Sequence, residues 1–239
     1  LEPLDIQKIH SMVHYACEGL SGVSESQVEM NSGMQFYDKM TTEEIQQILI
    51  KSASDLISLD KPNYQYVAAR LLLFSLRKGL HHRLWEHPTL LEHIKKCIDV
   101  GVYDKEFLVW YTNEEIEEMN MYIKHERDYL FSYAGLRQVV DKYLVQDRST
   151  GEIFETPQFM YMMIAATLFR NYDIERRMDY VKKYYNAISQ HLINIPTPVM
   201  AGVRTPLRQF ASCVLVDTDD TLPSICLLYT SPSPRDTIR

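Results

Sequence analysis

The chain of 239 residues has no apolar run approaching the roughly 18 residues that suggest a membrane span, so no membrane contact is expected. Clustered lysine and arginine are also missing. There are 25 basic residues against 32 acidic ones, a net charge of -7, which argues against a surface for duplex nucleic acid. Nucleotides held in pockets fit that charge balance. Cysteine is scarce: Cys17, Cys97, Cys213 and Cys226 form no CxxC pair and have no spacing to histidine that would build a zinc site. A reduced, cytoplasmic protein with no metal site is therefore expected. His81, His82, His87 and His93 lie close together, but no carboxylate-His grouping at i, i+4 accompanies them on one helix face, and they read as exposed or capping histidines. No signal peptide opens the chain, which begins with Leu1 rather than Met, and a truncated start is expected.

What is present is ordinary globular material, 46% hydrophobic and 24% charged, enough for one or two domains with a core. The fold class reads as mainly α. Ile9, Met12, Val13, Ala16, Cys17 and Leu20 recur at helical spacing and predict an amphipathic helix over 5–20. Ser24 with Gln27 predicts a capping box for a second helix reaching Phe36, and Thr41 with Glu44 predicts another for a third. Pro62 starts a fourth helix, expected to end near Lys78 with Gly79 as its C-cap. Further helices are predicted at about 90–100, after Thr112 with Glu115 as cap, over 158–169 behind Thr156 and Pro157, and over 174–191. The aromatics of 122–143 read as core. Tyr143 to Val145 and Glu152 to Phe154 read as a β-hairpin closed by Gly151.

The stretch from Ile195 to Leu222 has a different character. Two X-Pro turns lead into Gln209 to Val216, an apolar run with Cys213 in its middle that reads as a buried strand. Asp217, Asp219 and Asp220 follow, placing an acidic loop at the strand's carboxyl end, where parallel α/β sheets and barrels bind ligands. Taken alone, a single cysteine in such a strand reads as a small core residue.

The words PTPVMAGVRTP, LRQFASCVLV and DTDDTL closely resemble the start of the catalytic barrel in the large subunit of class I ribonucleotide reductase. The similarity runs upstream through GEIFETPQFMYMMIAATLFRNY, YVKKYYNAIS and DYLFSYAGLRQVVDKYLVQDRSTGEI to LDIQKIH, covering residues 1 to about 225. It implies an ATP-cone at 1–80, a helical domain at 81–205, and the first strand and effector loop of a ten-stranded α/β barrel at 206–225. The family's opening Lys-Arg strand is missing, so the cone is expected to be truncated at its amino end. Glu2, Lys8, Ile9, Thr42 and Lys78 match the family's contacts to ATP or dATP. Lys8 and Lys78 suit phosphate oxygens, and Thr42 offers a hydroxyl at a helix start; without the family the two lysines read as solvated surface charges. Gln46 and Ser75 stand where some relatives carry histidine.

The resemblance further implies that Thr197 and Ser212 hold substrate, that Cys213 is the first thiol of the pair that reduces the ribose, and that Asp220 and Thr221 begin the specificity-effector site. It implies a partner small subunit carrying the metal-radical cofactor, a homodimer, and thioredoxin or glutaredoxin as reductant. The remaining catalytic groups fall beyond residue 225 in the family, so this polypeptide alone is expected not to turn over. Two other classes remain open. A nucleotide-responsive repressor combining an ATP-cone with a zinc ribbon is disfavoured by the absence of CxxC, and a free-standing helical binding protein by the strand around Cys213. After Ile225 the pattern stops. Residues 226–239 contain Ser-Pro-Ser-Pro, and the eleven residues from Cys226 back-translate into a transposase sequencing adapter read in frame, so they read as an artefact, with a flexible Pro-rich tail as the alternative.

Overall fold

The computed structural model describes residues 5–37, 39–81, 86–147, 149–207, 210 and 217–230. In chain order these form α1 (Ile6–Cys17), α2 (Glu25–Gly33), α3 (Thr42–Asp55), α4 (Tyr64–His81), α5 (Leu90–Asp99), α6 (Phe107–Trp110), α7 (Asn113–Tyr122), α8 (Tyr133–Lys142), α9 (Pro157–Phe169), α10 (Ile174–Ser189), α11 (Thr197–Gly202) and α12 (Leu222–Thr230). A 3-10 helix at His125–Leu130 lies between α7 and α8. The mainly α class holds among the described residues, where the only β feature is one antiparallel bridge, Gln146 to Ile153. No described helix is long and apolar enough to cross a membrane. The strand expected at 209–216 falls almost wholly outside the described residues.

The chain divides into two compact units. The first comprises Leu1–Pro88, Lys124–Lys142 and Thr156–Gln158. Its helix starts are set by side chains: Asp5 accepts from the Gln7 amide at 3.0 Å, and Thr41 and Glu44 form the expected reciprocal capping box. α2 differs from expectation. It stops at Gly33, and Ser24 makes no side-chain cap. The Tyr64 hydroxyl stands between the two halves of the expected box, accepting from the Ser24 amide at 2.9 Å and donating to Gln27 Oε1 at 2.8 Å.

α4 packs against α1, α3 and α8, burying Val67, Ala68, Leu71, Leu73 and Phe74. It continues through Gly79 instead of ending there, because Arg77 and Leu80 are both buried and hold the last turn in place. Packing outweighs the modest preference of glycine for a helix end.

The second unit comprises Thr89–Ile123, Tyr143–Glu155 and Phe159–Arg239. Thr112 with Glu115 forms the expected capping box of α7, and Thr89 with Glu92 forms a further one for α5. Pro157 opens α9 as expected, but the buried Thr156 hydroxyl makes no capping hydrogen bond. From Phe159 to Ala166 every side chain of α9 is buried, the signature of a helix apolar on all faces. The hairpin is short, with the Asp147 amide on the Glu152 carbonyl at 2.8 Å and the Phe154 amide on the Val145 carbonyl at 3.0 Å around Gly151, whose φ is 77°. α10, capped by Asp173, packs on α7, where Arg177 grips Glu115 through two hydrogen bonds. The tail also departs from expectation. Residues 226–230 continue a helix begun at Leu222, and none of its side chains is buried. The Ser-Pro run after Thr230 lies outside the described residues.

Candidate functional site

Three of the residues matched to nucleotide contacts reach solvent in the first unit. Lys8 is exposed on α1, Thr42 is exposed as the first residue of α3, and Lys78 is half-buried in the last turn of α4. Their helices pack together, since α1 and α3 both lie against α4. Ile9 points the other way and is buried in the core. The start of α3 is less welcoming to an anion than its sequence suggests. The Glu44 amide is spent on Thr41 Oγ1, and Glu43 and Glu44 sit in the first turn, so Thr42 can contribute through its hydroxyl rather than through the helix terminus. Gln46, on the same helix, is buried, and its Nε2 has no hydrogen-bond partner. Glu2 lies outside the described residues.

Beside Lys78, Arg77 enters the core. Its Nη2 donates to Asp128 Oδ2 at 3.1 Å and to the His125 carbonyl at 3.0 Å, and Asp128 Oδ1 accepts from Gln158 Nε2 at 2.9 Å. Burial lifts the Asp128 carboxyl to about 6, against the pull of Arg77 and Gln158. Near this pair His87 stacks on His125 with ring centroids 3.6 Å apart and meets His81 edge-on at 5.8 Å. Burial, with Arg77 and His81 adding to it, lowers the His87 imidazole to about 4. His93 belongs to the second unit, where its Nε2 lies 3.0 Å from the Tyr103 hydroxyl. Among the described residues no group of three or more His, Cys, Asp and Glu is arranged to hold a metal ion.

In the second unit the residues matched to substrate contacts begin with Thr197, the first residue of α11. It is half-buried, with its Oγ1 3.4 Å from the Tyr143 hydroxyl. What fixes α11 is Arg204, just past its carboxyl end and 1% exposed. The guanidinium Nε donates to both oxygens of Glu155, at 3.1 and 2.9 Å, Nη2 donates to Glu155 and to the Tyr143 carbonyl at 2.8 Å, and Nη1 donates to the Met200 carbonyl. The Arg204 carbonyl accepts from the Asp104 amide at 3.0 Å. Glu155 also accepts from the Val145 amide at 2.7 Å and from the Tyr103 hydroxyl. Burial opposes the charge on Arg204, but the Glu155 carboxylate wins and raises its pKa; burial and the same carboxylate push the Tyr103 phenol well up.

Asp220 and Thr221 are exposed at the start of α12. The Thr221 hydroxyl accepts from the Ser224 amide at 3.4 Å, and its carbonyl accepts from the Ile225 amide at 3.0 Å. Ser212 and Cys213 lie outside the described residues. The two described cysteines of the helical units are inert core thiols: burial raises Cys17 to about 11 and pushes Cys97 further still.

Residues 1–79 match the family model for the ATP cone domain, and residues 129–208 match that for the all-alpha domain of ribonucleotide reductase. The chain is 51% identical over 224 residues to the ribonucleoside-diphosphate reductase 1 subunit alpha of Salmonella typhimurium, and 50% identical over the same length to that of Escherichia coli K12. It is 44% identical over 224 residues to the subunit alpha of Enterobacteria phage T4. This chain matches class I ribonucleoside-diphosphate reductase alpha subunits. Each alignment covers 94% of the chain and 29% of the relative, so the chain spans about three tenths of the length of the reductase subunits it matches.

Within the all-alpha match lie Glu155, Thr197 and Arg204; within the ATP cone match lie Lys8, Thr42, Lys78 and Arg77. Sequence reasoning passed over Arg204, Glu155, Tyr103 and Tyr143. The available signal was charge in apolar company: Glu155 lies two residues before the apolar α9, and Arg204 follows Val199-Met-Ala-Gly-Val203.

Proposed function

We propose that the chain is the amino-terminal part of the large subunit of a class I ribonucleotide reductase, which converts ribonucleoside diphosphates to deoxyribonucleoside diphosphates in the cytoplasm. The observation that carries this reading is the match, in order, to an ATP cone and to the reductase all-alpha domain within one stretch of 51% identity. Lys8, Thr42 and Lys78, with Glu2, serve the cone's ATP or dATP site, and Ile9, whose side chain is buried in the core, serves it only through its backbone. Thr197 and Ser212 hold the diphosphate substrate, and Asp220 and Thr221 begin the specificity-effector site. Cys213 supplies one of two thiols that give the reducing equivalents and become a disulfide, which thioredoxin or glutaredoxin reopens by thiol-disulfide exchange. A small subunit holds the metal-radical cofactor that starts the reaction, and the large subunit works as a homodimer. The other catalytic groups of the large subunit lie outside the matched stretch, and residues 226–239 are foreign to the enzyme.

The test is Cys213→Ser in the complete large subunit assayed with its small subunit. Serine keeps the size but cannot form the disulfide, so sustained deoxynucleotide formation with excess thioredoxin or dithiothreitol is expected to vanish while nucleotide binding survives. Multiple turnovers per site by Cys213→Ser would remove Cys213 from the reducing pair and return it to the role of a core residue.

A further inference from the structure

α11 has only six residues, too few to hold a fixed orientation without tertiary anchors. Tyr143 meets it at both ends. Its hydroxyl lies 3.4 Å from Thr197 Oγ1 at the start of the helix, and its carbonyl accepts from Arg204 Nη2 at 2.8 Å just past the end. Arg204 is itself locked by the buried Glu155 carboxylate, which also accepts from the Val145 amide two residues along from Tyr143. The backbone of Tyr143 is thus fixed independently of its hydroxyl, and the phenol reaches Thr197 from a rigid base. A threonine hydroxyl has one proton and two acceptor sites and rotates unless a neighbour constrains it. The phenol is that neighbour, and it takes up one hydrogen-bonding direction of a side chain that still reaches solvent.

We propose that Tyr143 is a positioning residue for the nucleoside diphosphate: its hydroxyl orients the Thr197 hydroxyl toward the substrate and acts through Thr197, not on the substrate itself. The inference rests on the reading of Thr197 as a substrate contact. Arg204 and Glu155 keep the backbone in place whatever happens at the phenol, so removing the hydroxyl alone separates positioning from folding.

The experiment compares Tyr143→Phe, Thr197→Val and the double variant in the complete large subunit with its small subunit, using a ribonucleoside diphosphate as substrate. Tyr143→Phe is expected to raise KM about 3- to 10-fold, the loss of one hydrogen bond, with kcat within about twofold and an unchanged Tm. Thr197→Val is expected to raise KM at least as far, and the double variant to be no worse than Thr197→Val, since the phenol has nothing left to orient. Effects that multiply in the double variant would overturn the inference, as would a Tm lowered by several degrees with KM unchanged. If Thr197→Val raises KM and Tyr143→Phe does not, positioning fails while the substrate reading stands. If Thr197→Val leaves KM unchanged, the substrate reading fails and this inference falls with it.

Discussion

Each unit of the molecule buries an arginine against a carboxylate, and the two pairs are built differently. Glu155 in the second unit accepts from the Val145 amide, the Tyr103 hydroxyl and two nitrogens of Arg204. Asp128 in the first accepts from one nitrogen of Arg77 and from Gln158. Both carboxylates are essentially fully buried. The outcome follows the donors: the rich set around Glu155 leaves Arg204 more strongly protonated than usual, whereas around Asp128 burial prevails and lifts the carboxyl to about 6. A buried charge is held by the bonds it receives, and one cation at 3.1 Å is not enough.

Arg204→Met should produce the largest effect. It leaves Glu155 in the core without its cation and frees the carbonyls of Tyr143 and Met200, so a loss of about 3–5 kcal/mol is expected in urea unfolding. A loss below about 1 kcal/mol would place the pair in contact with water and end the contrast. Arg77→Met should cost less, about 1–3 kcal/mol at neutral pH, because Asp128 can take a proton in place of its partner. The pH dependence sharpens the distinction. A carboxyl raised in the folded state from 3.8 to about 6 contributes stability that is present below the unfolded value and is lost as pH rises through about 6. Removing Arg77 raises that carboxyl further, so wild type and variant differ most at pH 7 and converge toward pH 5, where both carry it protonated. A gap that widens on acidification would show that Asp128 stays charged.

These pairs also mark the limit of what could be read along the chain. The capping boxes at Thr41 and Thr112 were legible because both partners lie within four residues. At Ser24 the same signature misled, since Tyr64, forty residues away, takes both of its groups. The end of α4 was misplaced for the same reason: glycine's local preference yields to the burial of Arg77 and Leu80, which only the folded core decides. Of the candidate site, Lys8, Thr42, Lys78 and Thr197 were located through family words. The Arg204 to Glu155 pair that holds α11 spans 49 residues and has no periodic signature. Ile9 was named as a contact, yet it points into the core.

A second contrast, between α9 and α12, carries the smallest expected effect. Both are strongly apolar, but α9 is enclosed from Phe159 to Ala166, whereas Leu222, Leu227, Leu228 and Tyr229 of α12 all stand exposed. Apolar side chains stabilise a fold only when they leave water, at roughly 25 cal/mol per Å² removed. Deleting residues 226–239 therefore removes the second half of α12 and the Ser-Pro segment without uncovering any buried side chain of that helix. The thermal midpoint should move by no more than about 1 °C, since about 1 kcal/mol corresponds to roughly 2–4 °C in a chain of this size. The deletion also strips exposed Leu227, Leu228 and Tyr229, so the shortened chain should stay monodisperse to higher concentration in light scattering. A fall of several degrees would mean that α12 packs against the rest of the chain in solution, and it would erase the difference between a helix held by its surroundings and one held only by its own backbone.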